Sequence, residues 1–282
     1  MRQSPVDLHL HSTASDGRLA PADVVARAAQ AGVKLMALTD HDTLDGLDAA
    51  AGAARVEGID CRAGIELSAR WARGVVHIVG LDLDPSAAVL VAGVARQQRE
   101  RRQRADRIAE RLARAGMADI RDRVATLASA GVPGRAHFAR ALVEAGHARD
   151  MPHAFDRYLQ RGRPGYAPVD WATIDEVVGW IHRAGGLAVF AHPLRYRLSR
   201  GALRAAVQAF VTAGGDAIEV ASGGGGRDDL AAASALAKRF GLEASIGSDF
   251  HDPDFPWIAI GRLPAVPPDL KPIWRRWGAG YD

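Results

Sequence analysis

Short apolar runs rich in β-branched residues alternate with longer segments of helical period along most of the chain. The runs Val6–Leu10, Leu35–Thr39, Cys61–Leu67, Val75–Leu81, Leu187–Ala191, Ala217–Ala221 and Glu243–Gly247 predict strands. Pro21–Ala31, Leu44–Glu57, Ile174–Ala184, Leu203–Ala213 and Leu230–Phe240 predict helices between them. Such alternation argues for parallel strands covered by helices. Seven strands in sequence favour a β/α barrel over an open sheet.

From about Pro85 to Pro168 the rhythm breaks, and no strand is predicted. The helical patterns Ala87–Ala115, Ile120–Ser129, Arg135–Glu144 and Pro152–Gln160 follow one another, punctuated by Gly and Pro at Gly116, 131–134, Gly146 and 162–165. The expected organisation is a barrel built from residues 1–84 and 169–282, with residues 85–168 inserted as an all-helical cap. The only low-complexity patch, Gly223–Gly226, directly follows a strand and reads as a flexible loop, or as one that lets the backbone approach a substrate.

With 282 residues, 48% hydrophobic and 24% charged, the chain fits a soluble α/β protein with one sizeable core. No apolar run approaches the roughly 18–20 residues of a membrane span. The N-terminus shows no leader pattern. Cys61 is the single cysteine, which excludes an intrachain disulfide and points to the cytoplasm. The formal net charge is +3, yet residues 91–125 alone carry ten Arg against five acids. That local excess predicts an anionic ligand beside the inserted helices.

The ten histidines carry the strongest signal. His9 and His11 stand two apart at the end of a strand, so both imidazoles point to one side. Asp16 follows in the next loop. His41, Glu66, His192, Asp249 and His251 each lie at or just beyond a later strand end, and His77 lies within the fourth strand. Strand ends of a β/α barrel gather at one mouth. A set this rich suits two or three divalent ions, and nitrogen and carboxylate donors without thiolate suit Mn, Zn or Fe(II). Each piece alone has a plain reading: a lone His-x-His is often core, and Asp42 reads as a helix cap. His137, His147, His153 and His182 lie away from the pattern and read as surface or core.

Val6-Asp7-Leu8-His9-Leu10-His11-Ser12, Asp16-Gly17, Leu38-Thr39-Asp40-His41-Asp42, Gly64-Ile65-Glu66, His77-Ile78-Val79-Gly80, Ala191-His192-Pro193 and Gly247-Ser248-Asp249-Phe250-His251 resemble the polymerase-and-histidinol-phosphatase (PHP) family of metal-dependent phosphoesterases. The helical insertion is similar to that of the subgroup acting on nucleoside 3',5'-bisphosphates, some members of which trim RNA from its 5' end. The resemblance implies a distorted seven-stranded (β/α) barrel with a trinuclear centre, most often of Mn²⁺, with Zn²⁺ or Fe²⁺ as alternatives. It would place His9, His11, Glu66 and Asp249 on one ion, Glu66, His77 and His192 on a second, and Asp16, His41 and His251 on a third. Asp16 stands where many members carry histidine.

The implied reaction is hydrolysis of a 3'-phosphate by a metal-activated water, leaving a nucleoside 5'-monophosphate. Asp249 or His251 would assist proton transfer, and Asp40 would orient its neighbour His41. On a helix Arg99 and Arg102 share one face, while Arg101 and Arg104 share another. By resemblance, Arg99, Arg102 and Arg135 would hold the second phosphate, and Arg195 would also touch phosphate. Tyr158 and Tyr166 are candidates for stacking on a base, or for packing. The leading expectation is a small nucleotide substrate. A 5'→3' exoribonuclease on short RNA, a histidinol phosphatase and a non-catalytic metal-binding module are the competitors, and no membrane partner is expected.

Overall fold

The computed structural model describes residues 3–72, 74–128, 131–196, 198–278 and 281. Its seven strands are β1 (Val6–Leu10), β2 (Leu35–Leu38), β3 (Asp60–Trp71), β4 (Gly74–Leu81), β5 (Leu187–Phe190), β6 (Ala217–Ser222) and β7 (Glu243–Gly247). They form one sheet in chain order. β1 and β2 are buried at every position, the mark of strands covered on both faces. The first and last strands also meet: Asp249 N–H donates to the His9 carbonyl (2.8 Å) and His11 N–H to that of Phe250 (2.9 Å). The sheet is thereby nearly closed into a barrel.

One strand departs from the all-parallel expectation. β4 runs antiparallel to both β3 and β5, whereas the remaining neighbours are parallel. The cause is chain length. Only two residues separate Trp71 from Gly74, and a parallel return needs a crossover of a dozen or more. β3 therefore extends past its expected end at Leu67 and folds back as a hairpin.

Because β4 runs away from the mouth, the chain leaves it at the opposite end of the barrel. The next helix, α3 (Ala88–Arg114), follows α1 (Pro21–Gln30) and α2 (Leu47–Glu57) and has 27 residues. At 1.5 Å per residue it spans roughly 40 Å, enough to climb back to the mouth. Its first half packs on the barrel: Leu90 and Val94 join the barrel core, and a Cβ at Gly93 would lie 2.5 Å from the Trp180 ring. Its second half contributes Ala105, Ile108, Ala109 and Leu112 to a separate helical core. That core also draws on α4 (Ile120–Ala128), α5 (Arg135–Glu144) and α6 (Met151–Ala154). Ser129, the expected end of α4, lies outside the described residues. After α6 the backbone loosens into one π-helical turn, Phe155–Leu159, where a single helix to Gln160 was expected.

The chain then returns through α7 (Ile174–Arg183), β5, α8 (Arg200–Thr212), β6 and α9 (Arg227–Phe240). Caps fix these boundaries. Thr173 and Glu176 form a reciprocal capping box at α7, and Ser199 accepts from Ala202 N–H at α8. α9 starts three residues earlier than its apolar pattern, because Asp229 accepts the Gly226 N–H (2.9 Å).

Candidate metal centre

β1 presents His9 and His11 inward, both fully buried. The strand sits close against β7 because Gly247 stands opposite, where a Cβ would come within 2.1 Å of the His9 Cβ. The two Nε2 atoms are 3.0 Å apart. Glu66 Oε2 lies 3.4 Å from His9 Nε2 and 3.3 Å from His11 Nε2, and Asp249 Oδ1 lies 3.5 and 3.2 Å from them. Donors around one ion at bonds of about 2.1 Å stand ~3.0–3.4 Å apart, so this spacing is that of a cation cage.

Glu66 is the hub. Its Oε1 lies 2.9 Å from His77 Nδ1 and 2.9 Å from His192 Nε2. Its Oε2 lies 2.8 Å from His41 Nδ1, yet neither atom makes a hydrogen bond of acceptable geometry, although both are buried. Two buried metal-ligating atoms this close without a hydrogen bond between them fit a shared cation. His251 Nε2 faces Asp16 at 3.3 Å, and its ring stacks on that of His11 with centroids 4.0 Å apart.

Three groups of side chains could each hold an ion: His9, His11, Glu66 and Asp249; His41, Glu66 and His77; and His11, Asp16, His41 and His251. The structure thus brings together all nine ligand candidates of the sequence. The grouping differs in detail, because His41 and His11 each stand in two groups and His192 approaches only the far oxygen of Glu66. His77, the exception to the strand-end pattern, joins the others because β4 is reversed: its early residues lie at the mouth.

The electrostatics fit the same reading. Burial raises a carboxylate's pKa, but at Glu66 the surrounding imidazoles of His41, His77 and His9 outweigh it and hold the carboxyl well below its usual range. Asp249 is likewise held low against burial, by Arg195, His251 and His9. Burial lowers His11, yet its bonds to Asp249 and Glu66 push it up to about 10. The cluster demands positive charge, from protons or from metal ions.

Residues behind the cluster set its imidazoles. Glu219 on β6, absent from the sequence candidates, lies 2.5 Å from His9 Nδ1 and accepts the His192 N–H (2.6 Å). This directs the Nε2 lone pair of His9 into the cage. His251 Nδ1–H donates to the Asp249 carbonyl (2.9 Å), leaving its Nε2 free in the same way. Asp40, expected to orient His41, instead holds the β1 loop through Ser12 N–H (2.8 Å) and the Ser12 and Ser15 hydroxyls (both 2.6 Å). Asp42 does not cap a helix. It is buried at φ 50° and accepts from Ser68 N–H (2.8 Å) and Arg101 Nε (2.6 Å). Asp42, His192 (φ 28°) and Asp249 (φ 53°) are three of the four non-glycine residues with positive φ among those described, so backbone strain gathers here.

A cavity of about 650 Å³ opens from His41, His77 and Asp16 toward the inserted helices. Arg101, Arg104 and Arg135 line it together with Trp171, Phe155 and Tyr166. Arg101 is paired with Asp42, whereas Arg104 and Arg135 form no ion pair among the described residues. Burial, Arg135 and Arg101 push the Arg104 guanidinium well below the usual arginine value, as expected where like charges crowd. The α3 face that enters the larger cavity is thus that of Arg101 and Arg104. Arg99 is exposed and lines neither this cavity nor the smaller one beside it, whereas Arg102 lines the smaller one together with Asp16 and His41. The sequence could separate the two faces but not orient them, since that depends on how α3 rolls against Trp180. His137, read as off the site, is buried and also lines the smaller cavity, beside Asp16 and His41. Arg195 bonds Asp249 directly and donates to the Gly223 carbonyl (2.6 Å). Tyr158 packs in the helical core and donates to the His147 carbonyl (3.1 Å).

Comparison with known proteins agrees with this geometry. The PHP domain matches residues 7–161. The 3',5'-nucleoside bisphosphate phosphatase of Chromobacterium violaceum is 44% identical over 96% of this chain and 95% of its own. The 5'-3' exoribonuclease Rnm of Escherichia coli is 42% identical over 96% of this chain and 93% of its own. Among solved structures, an amidohydrolase from Chromobacterium violaceum with bound sulfate and no metal superposes with a TM-score of 0.93 at 43% identity, covering 98% of this chain and 96% of that one. A metal-dependent phosphoesterase, described as putative, from Bifidobacterium adolescentis gives 0.80 at 28% identity, covering 99% and 96%. With its ligand clusters at the strand ends and relatives matched nearly end to end, the chain belongs to the PHP family.

Proposed function

We propose that the protein is a metal-dependent phosphatase that removes the 3'-phosphate of nucleoside 3',5'-bisphosphates. The observation that carries this reading is the shared cavity: unpaired Arg104 and Arg135 face the same space as His41, His77 and Asp16. One phosphate fits among the guanidiniums, which suit bidentate phosphate binding. The other then reaches the carboxylate–imidazole cluster, so the remote phosphate orients the reacting one. Residues 85–168 act in this reading as a cap, with Arg101, Arg104 and Arg135 as its working residues.

His9, His11, Asp16, His41, Glu66, His77, His192, Asp249 and His251 would hold two or three divalent ions, with Mn²⁺ the first to test. Bound there, such ions supply an activated water at neutral pH and neutralise phosphoryl charge. The chain's own groups bind and orient. Glu219 fixes His9, and the Asp249 carbonyl fixes His251. Arg195, bonded to Asp249, stands ready to contact the phosphoryl oxygens. Nucleotide substrates fit a cytoplasmic protein; among the described residues no helix is long and apolar enough to cross a membrane.

Phosphate release from adenosine 3',5'-bisphosphate with Mn²⁺, beside 5'-phosphorylated RNA and histidinol phosphate, tests the reading. Fast release from the bisphosphate is expected, lost in Asp249→Ala. Release from histidinol phosphate alone would overturn it.

A further inference from the structure

Of Arg101, Arg104 and Arg135, only Arg101 has a carboxylate partner among the described residues, and Arg104 Nε is buried without an acceptor. Aromatic rings lie against all three. The Arg101 Cζ is 5.4 Å and the Arg104 Cζ 5.8 Å from the centroid of the Trp171 ring, and the Arg135 Cζ is 5.7 Å from that of Phe155. Each distance is within the roughly 6 Å at which a ring face attracts a guanidinium. Both rings line the large cavity beside the arginines they carry. Trp171 is only 3% exposed, yet it joins none of the apolar clusters of the barrel or the inserted helices. Its backbone is pinned from two sides. Arg70 N–H on β3 donates to the Ala172 carbonyl (2.7 Å), and Ala172 N–H donates to Gln97 Oε1 on α3 (3.3 Å). Phe155 opens the π-helical turn, a backbone form frequent at functional sites.

We propose that Trp171 and Phe155 are positioning residues of the arginine cradle: they hold its guanidiniums by their faces, so that Arg104 and Arg135 keep their N–H edges and their charge for the remote phosphate. The inference rests on the proposed function and names what builds its anion seat. A carboxylate can also hold an arginine, as Asp42 holds Arg101. It then occupies the N–H fork that a phosphate needs and cancels the charge. A ring takes neither. It attracts the cation through its π face, while the guanidinium donors remain unused. A side chain already held in place also loses less freedom when the anion arrives. The two kinds of partner therefore divide the work. The arginine paired with Asp42 joins the cradle to the barrel, and the two without a carboxylate rest on rings. A substrate with a second phosphate gains from this arrangement, and one without it does not.

The test measures phosphate release from adenosine 3',5'-bisphosphate and adenosine 3'-monophosphate, both with Mn²⁺, in the unaltered protein, Trp171→Leu, Trp171→Phe and Phe155→Leu. W171L is expected to raise KM for the bisphosphate by about 5- to 30-fold. Its kcat, and its KM for the monophosphate, should change by less than about twofold. W171F, which keeps a ring, should restore most of the lost affinity, and F155L should raise the same KM by about three- to tenfold through Arg135. In an Arg104→Ala background, W171L should add less than about threefold, because a guanidinium it positions is gone. Equal change on both substrates, as base stacking or simple packing would give, or an undiminished effect in R104A would overturn the inference while the phosphatase reading stands. If W171L does not fold, F155L alone and with Arg135→Ala makes the same comparison. An unaltered protein that binds the two substrates equally would remove the anion seat, and with it the reading on which the inference rests.

Discussion

At the barrel mouth, six imidazoles enclose Asp16, Glu66 and Asp249, and the buried His41 Nδ1 and Glu66 Oε2 face each other without a hydrogen bond. Beside the inserted helices, by contrast, Arg101, Arg104 and Arg135 crowd into one cavity, where Asp42 pairs with Arg101 and Asp16 is the carboxylate on the wall. The donor set of the first region suits cations, and that of the second suits an anion. They are also held differently. The mouth is fixed by seven strands whose neighbours are hydrogen-bonded along their length, whereas the arginines ride on the middle of one long helix and the start of another. The difference teaches that groups suited to cations and groups suited to anions are carried by separate pieces of the chain, which the proposed function reads as chemistry and choice of substrate. Changes in one should spare the other.

The sharpest way to break this comparison is Glu66→Gln, which removes charge at the hub of the mouth. Metal catalysis contributes several kcal/mol, so phosphate release should fall by about 10³-fold or more. Metal content measured by mass spectrometry should fall with it, while thermal unfolding remains cooperative. Retained metal with full activity would refute the assignment.

Next comes the joint between the regions, Asp42–Arg101. Both groups are buried, and removing one partner of such a pair costs about 3–5 kcal/mol. Asp42→Asn should therefore lower stability at neutral pH, as measured by urea unfolding. Burial raises the Asp42 pKa, but Arg101 and Ser68 outweigh it and hold it below 3.8. A carboxyl held low in the folded state stabilises it above the unfolded value and loses that effect as pH falls through the folded value. The gap between the unaltered protein and D42N should thus be full above about pH 5 and close below 3.8.

Smaller effects separate the two faces of α3. Arg104→Ala should raise KM for a nucleoside 3',5'-bisphosphate by roughly 10- to 100-fold, the worth of a hydrogen bond to a charged group, with kcat for a 3'-monophosphate unchanged. Arg99→Ala, on the exposed face, should change either constant by less than about twofold. Equal losses in R99A and R104A would show that the cradle is only a general basic field.

How much of this was legible in advance differs between the regions. Eight of the nine ligand candidates were readable because each follows or ends an apolar run, and a barrel collects those ends; His77, within its run, was readable only from the resemblance. Glu219 escaped because it lies in mid-strand with no motif around it, and Asp42 because its φ of 50° turns its carboxylate inward, which no local pattern reports. The glycine run read as loose because its constraint, the Ser248 carbonyl, comes from a neighbouring strand end.

By itself the sequence determined the seven strands, the helical insertion between β4 and β5, and the donor atoms of the centre. Those follow from periodicities of two and 3.6 and from residue chemistry, which are local. Tertiary structure alone decided that β4 runs backward, bringing His77 to the mouth, and that α3 turns Arg101 and Arg104 into the larger cavity, Arg102 into the smaller one and Arg99 to solvent. Both depend on where distant segments pack: a two-residue turn fixes the first, and the Trp180 ring against Gly93 guides the second. The sequence of a 27-residue helix separates its faces, and what packs against it decides which face meets the site.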